Sequence, residues 1–146
     1  MPKVIVVDDH AVIRRGVQGI LSAFPEWDLC GEAENGHEGV RLAETLKPEI
    51  IIMDVSMPGL NGLEATRIIH NILPDTKILL LTLHSSTELV RSAFRAGARG
   101  YVLKSDAEHE LVRALNVIAG DGTYVSPGVD PHLAQKAIEE ASHAPN

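Results

Sequence analysis

Ile50-Ile51-Ile52-Met53-Asp54-Val55-Ser56-Met57-Pro58-Gly59 is the stretch that decides the fold. Four apolar residues run into a carboxylate, and a Pro-Gly turn follows. A short apolar run bounded by turn residues reads as a strand buried on both faces of a sheet. Asp54 then stands where the chain leaves a central strand. In open α/β sheets that carboxyl edge is where ligands bind. Packing does not account for a carboxylate there.

Similar strands flank this one. Val4-Ile5-Val6-Val7 is β-branched and ends in Asp8-Asp9. Trp27 to Ala33 alternates weakly and reads as a second strand near an edge. Lys77 to Thr82 and Arg99 to Lys104 supply a fourth and a fifth. Helical spacing fills the gaps. Val12, Ile13, Val17, Ile20, Leu21 and Phe24 mark a helix over residues 10–24, and Val40, Ala43 and Leu46 mark one over 37–46. Leu63, Ile68, Ile69 and Ile72 mark a third over 60–72, with Asn61 as its N-cap. Ser85-Ser86 opens a fourth, with Leu89, Val90, Ala93 and Phe94 inward, and Gly97 ends it. Asp106 opens a fifth, with Leu111, Val112, Leu115 and Ile118 inward. Five strands alternating with five helices predict an α/β fold: a parallel five-stranded sheet covered on both faces.

After Gly122 the period is lost. Residues 122–146 read as a linker with one short helix over 132–141 and a frayed end. The predicted domain covers residues 2–121.

Composition agrees. The chain has 146 residues, 45% of them hydrophobic and only 3% aromatic, so its core is aliphatic. Lys and Arg number 13 against 20 Asp and Glu, a net charge of −7 that opposes a grip on nucleic acid by this chain alone. One cysteine, Cys30, allows no internal disulfide and reads as a small hydrophobe in a reducing compartment. No signal-peptide h-region and no run long enough for a membrane span is present. The expected location is the cytoplasm.

The strand ends carry the chemistry. They deliver Asp8 and Asp9, Asp54, Thr82 and Lys104. These converge on one pocket if the strand order is 2-1-3-4-5, with its switch point between strands one and three. Like charges about 4 Å apart cost on the order of 4 kcal/mol at an effective dielectric near 20. A divalent cation removes that cost. Mg²⁺, or Mn²⁺ in its place, accepts one or two of these carboxylates, with Asp8 and Asp54 the safer ligands because Asp9 can also cap the first helix, and the loop after Asp54 can add the carbonyl of Ser56. Lys104 suits a phosphate oxygen and Thr82 offers a hydroxyl. A carboxylate among a metal, a lysine and a hydroxyl fits phosphoryl transfer, with Asp54 as nucleophile. His10 and His84 flank the pocket, and an oxygen-rich Mg²⁺ site does not favour imidazole. Ser56 and His84, each two residues past a site residue, are candidates for tuning how fast water reaches the acyl phosphate.

Asp8-Asp9, Asp54 to Gly59, Thr82 and Gly100-Tyr101-Val102-Leu103-Lys104 together resemble the receiver domain of bacterial two-component response regulators. The likeness covers about residues 2 to 121. Asp8-Asp9-His10, Gly62-Leu63-Glu64-Ala65, Leu81-Thr82-Leu83-His84 and Gly122 to Pro127 resemble the NarL/FixJ (LuxR-type) branch. The resemblance implies that Asp54 accepts phosphate from a sensor histidine kinase. It implies that Asp8, Asp9, Asp54 and the Ser56 carbonyl hold Mg²⁺. Thr82 and Lys104 would sense the phosphoryl group, with Tyr101 as an aromatic switch that turns inward. It implies a homodimer on phosphorylation and DNA binding through a C-terminal helix-turn-helix that this sequence lacks. The dimer face would be either the first and fifth helices or the fourth helix and fifth strand. Ser105 follows Lys104 where many receivers have a cis proline.

On this reading the chain is not an enzyme but a self-phosphorylating acceptor with weak autodephosphorylation. A free-standing receiver that shuttles phosphate is the alternative. A haloacid-dehalogenase-type phosphatase would want its nucleophile on strand one, and a flavodoxin-like carrier would want a phosphate loop where Asp8-Asp9-His10 stands.

Overall fold

A computed structural model describes residues 2–142. Of the expected frayed end, Ser142 to Asn146, Ser142 closes the last helix, and residues 143–146 lie outside the described residues. The elements are β1 (Lys3–Val7), α1 (Ala11–Ser22), β2 (Asp28–Ala33), α2 (Gly36–Leu46), β3 (Ile50–Asp54), α3 (Gly62–Ile72), β4 (Lys77–Thr82), α4 (Thr87–Ala96), β5 (Gly100–Leu103), α5 (Ala107–Ala119), β6 (Tyr124–Val125) and α6 (Pro131–Ser142). One 3-10 turn, Lys104–Asp106, joins β5 to α5. The strands lie in the order β2-β1-β3-β4-β5-β6, and every pair is parallel. The 2-1-3-4-5 order is therefore as predicted, with one short strand added.

Strand alternation divides the core into two layers. Ile5, Val7, Ile51, Met53, Ile78, Leu80, Tyr101 and Leu103 face α2, α3 and α4. Val4, Val6, Ile50, Ile52, Leu79, Leu81 and Val102 face α1 and α5. Because a strand has a side-chain period of two, residues beyond the strand ends inherit these faces. Asp8, Asp54 and Lys104 continue the α1/α5 layer, whereas Thr82 continues the layer of Tyr101.

The predicted caps are present. The Asn61 side chain accepts from the Glu64 amide at 3.0 Å, and Ser86 Oγ accepts from the Leu89 amide at 3.1 Å. Gly97 ends α4 at a φ of 112°, where a side chain would be strained.

Three expectations needed correction. In α1 the buried stripe is Arg14, Val17 and Leu21, while Val12 is 69% exposed and Phe24 lies outside the helix and exposed. Val17 and Leu21 are buried and Ile13 and Ile20 half-buried against the α1/α5 layer as expected, but Arg14 shares the inward face. Ile68 and Ile72 of α3 are likewise exposed. The segment read as a linker is folded onto the domain. Tyr124 and Val125 pair with Gly100 and Tyr101, Ser126 Oγ accepts the Leu103 amide at 3.0 Å, and α6 packs on α4. Val129, Ala134 and Ala137 are buried there, and Arg91 Nε meets Glu140 Oε2 at 2.8 Å. Two prolines and three small buried residues give too weak a period for this docking to be read from sequence.

Candidate functional site

Parallel pairing sets Val7 beside Met53, so the next residues, Asp8 and Asp54, emerge side by side at the carboxyl edge. Both are buried, at 1% and 4% exposure. Asp9 follows on the open side. Carboxylate oxygens of Asp8, Asp9 and Asp54 and a ring nitrogen of His10 lie within 4.8 Å of one another. Lys104, placed by the turn after β5, reaches across β4. Its Nζ lies 3.1 Å from Asp8 Oδ2 and 3.3 Å from Asp54 Oδ1. The Asp8 contact is an ion pair without hydrogen-bond geometry, so Asp8 Oδ2 is buried with no hydrogen-bond partner.

Burial and the neighbouring Asp8 charge push the Asp54 carboxyl above the usual carboxylate range, against the opposing pull of Lys104 and the Ser56 amide. An orphaned carboxylate oxygen, a second buried carboxyl whose ionised form is disfavoured and a third on the open side suit a hard divalent cation. Asp8, Asp9 and Asp54 fit that role. Ser56 is exposed in the loop beyond β3, and its amide leans toward Asp54 Oδ1 at 3.4 Å.

Thr82 is buried at the end of β4, and its Oγ1 accepts the His84 amide at 3.2 Å. Tyr101 is fully buried, its hydroxyl donates to the His84 carbonyl, and burial raises that hydroxyl to a pKa of about 12. In this structure the Tyr101 ring lies within the core layer that faces α2, α3 and α4. The main chain of His84 is held from both sides, by Thr82 at its N–H and by Tyr101 at its C=O. The His84 side chain is exposed.

His10 is closer to the chemistry than its sequence position suggests. Its Nδ1 lies 3.2 Å from Asp8 Oδ1 and 3.1 Å from Asp9 Oδ1. Arg14 was not foreseen at all. It is 8% exposed, and NH1 donates to the Asp8 carbonyl at 2.7 Å. Its helical spacing to Val17 and Leu21, both in the predicted stripe, was the available signal.

A doubly wound sheet with an acidic cluster and a lysine at its carboxyl edge defines a phosphoacceptor class. The family profile described as "Response regulator receiver domain" matches residues 4–116, and the chain belongs to that family. Among curated relatives, the transcriptional regulatory protein DegU of Brevibacillus brevis is 37% identical over 134 residues, which is 92% of this chain and 57% of DegU. The response regulator GacA of Pseudomonas aeruginosa is 36% identical, over 98% of this chain and 67% of GacA. The crystal structure of a LuxR-family two-component response regulator from Aurantimonas sp. SI85-9A1 superposes with a TM-score of 0.84 at 34% identity, covering 98% of this chain and 99% of that one. The chain is thus a receiver similar to the NarL/FixJ branch, and it spans between 57% and 68% of the length of curated relatives such as DegU and a Pseudomonas protegens GacA. Among the described residues no helix is long and apolar enough to cross a membrane.

Proposed function

We propose that Asp54 accepts a phosphoryl group from the phosphohistidine of a sensor kinase in the cytoplasm. The observation that carries this reading is the buried Asp54 carboxylate with Lys104 Nζ at 3.3 Å and Asp8 beside it. An Asp54 oxygen forms the new bond to phosphorus while the phosphorus–nitrogen bond breaks, and the electron pair leaves with the imidazole. Water later cleaves the acyl phosphate. Mg²⁺ held by Asp8, Asp9, Asp54 and the Ser56 carbonyl would neutralise charge on the phosphoryl oxygens. Lys104 balances the anion from the other side. The test is intact mass after incubation with acetyl phosphate and Mg²⁺. The parent gains one phosphoryl group and Asp54→Asn gains none. An equal gain in both would reject Asp54 as the acceptor.

The phosphate must also move something. Shifting a two-state equilibrium from 1:99 to 99:1 takes roughly 5.5 kcal/mol, whereas one charge-assisted hydrogen bond gives about 1.5–3 kcal/mol. Thr82 must act together with Lys104 and the metal. When the Thr82 hydroxyl turns to the phosphate, the His84 amide loses its acceptor, and the bond from Tyr101 to the next carbonyl is left to hold the main chain of His84. The loop carrying Leu83, 75% exposed, then shifts with the start of α4. Thr82→Ala is expected to take phosphate like the parent and to lose most of the beryllofluoride-induced association seen by sedimentation. Parental association in that variant would break the proposed coupling. Ser56 and His84 keep their proposed role in the lifetime of the phosphate.

Association is proposed to form a homodimer. Of the two faces considered, α4 is covered by α6, while α1 and α5 border an open groove of about 580 Å³. Val12, Ile13, Ile20 and Phe24 line that groove, so we assign the dimer to this face. A helix-turn-helix output that binds DNA belongs to the same proposal, supported by the greater length of the similar regulators.

A further inference from the structure

We propose that Arg14 is a positioning residue that aims Asp8 at the metal and phosphoryl site. A guanidinium has five donors and keeps its charge in a protein, so burying one requires acceptors. Arg14 has three. NH1 donates to the Asp8 carbonyl at 2.7 Å, Nε donates to Glu32 Oε1 at 2.9 Å, and NH2 lies 3.7 Å from Glu34 Oε1. Glu32 is fixed in turn by Gln18 Nε2 on its other oxygen at 2.8 Å.

These bonds have a direction. The Asp8 amide donates to the Ala33 carbonyl at 3.1 Å, and its own carbonyl accepts from Arg14. The Asp8 main chain is therefore held at both ends, just past the point where β1 stops supplying ladder bonds. With the backbone fixed, the side chain is aimed: Oδ1 accepts the His10 amide at 2.8 Å, and Oδ2 faces Lys104 at 3.1 Å. A plain tie between α1 and β2 would need only the Glu32 and Glu34 contacts. The shortest bond instead goes to the main chain of a site residue. Supports of this kind typically change metal affinity by 10–100-fold when removed.

The inference rests on the metal-assisted phosphoacceptor reading, and one experiment separates the two. Mg²⁺ binding to the full chain is measured by titration calorimetry well below the melting temperature, with circular dichroism confirming the fold. Arg14→Met is expected to raise the Mg²⁺ dissociation constant about 10-fold. Arg14→Lys, which can reach only some of these acceptors, is expected to fall between the two. Glu32→Gln leaves the guanidinium in place but weakens its hold, and is expected to raise the constant about 3-fold, below the range typical of full removal. That variant carries the test if Arg14→Met does not fold. Parental affinity in a folded Arg14→Met or in Glu32→Gln overturns the positioning role while the phosphoacceptor reading stands. A parent that binds no Mg²⁺ overturns both.

Discussion

Asparagine at position 54 is expected to raise the melting temperature of the metal-free chain while abolishing phosphoryl acceptance. The Asp54 carboxyl is buried beside Asp8, and its proton is held above the usual carboxylate range first by burial and then by the Asp8 charge. A folded state that holds a proton more tightly than the unfolded chain loses stability as pH rises through that window. The cost is absent below the ordinary carboxylate range and complete above the raised value. Asparagine keeps the shape and removes the charge, and Lys104 keeps its partner in Asp8. The variant should match the parent in strong acid and exceed it at neutral pH. A gain of about 1 kcal/mol corresponds to roughly 3 °C for a chain of this size. Mg²⁺ should reverse the order, because the parent gains more from a cation bound only by the folded state. Thermal scans from about pH 2.5 to 8, with and without Mg²⁺, decide the matter. A metal-free variant no more stable than the parent at neutral pH would show that Lys104 already offsets the repulsion.

Much of this site was legible because it stands at strand ends. An aliphatic run fixes a strand, the strand fixes its carboxyl end, and the parallel order collects Asp8, Asp9, Asp54 and Lys104 at one edge. What escaped the reading was set by tertiary contacts. Arg14 joins the inward face of α1 beside Val17 and Leu21 because the Asp8 carbonyl and Glu32 accept its guanidinium there. The docking of α6 rests on alanines and a short strand, which leave little hydrophobic period. Thr82 and Tyr101 were each singled out from the sequence, and their proposed roles rest on the pairing with His84. Their common partner, the main chain of His84, has no sequence signature of its own.

Gly62→Ala is expected to cost about 3 kcal/mol or more, beyond the ordinary range for overpacking. A Cβ on Gly62 would lie 2.0 Å from the Asp54 carbonyl oxygen and 2.8 Å from the Asp54 carbonyl carbon and Val55 Cα. Those atoms are main chain and cannot swing aside. Gly62 also donates its amide to the Val55 carbonyl at 2.8 Å, so the start of α3 is fastened to the end of β3. Across the loop, a Cβ on Gly36 would meet the Leu60 carbonyl oxygen at 2.3 Å. The loop bearing Ser56 is thus seated between two close backbone approaches. Elsewhere the same substitution has the opposite sign. Gly19 lies inside α1 with nothing within 4 Å of its Cβ position, and alanine there should add about 0.5–1 kcal/mol from helix propensity alone. Denaturant midpoints of the two variants, side by side, separate propensity from contact. If Gly62→Ala lies within 1 kcal/mol of the parent, the β3–α3 contact is softer than these distances require. If it loses stability as expected, its Mg²⁺ affinity should fall as well. The carbonyl assigned to the metal sits on the loop that alanine would push away from Asp54.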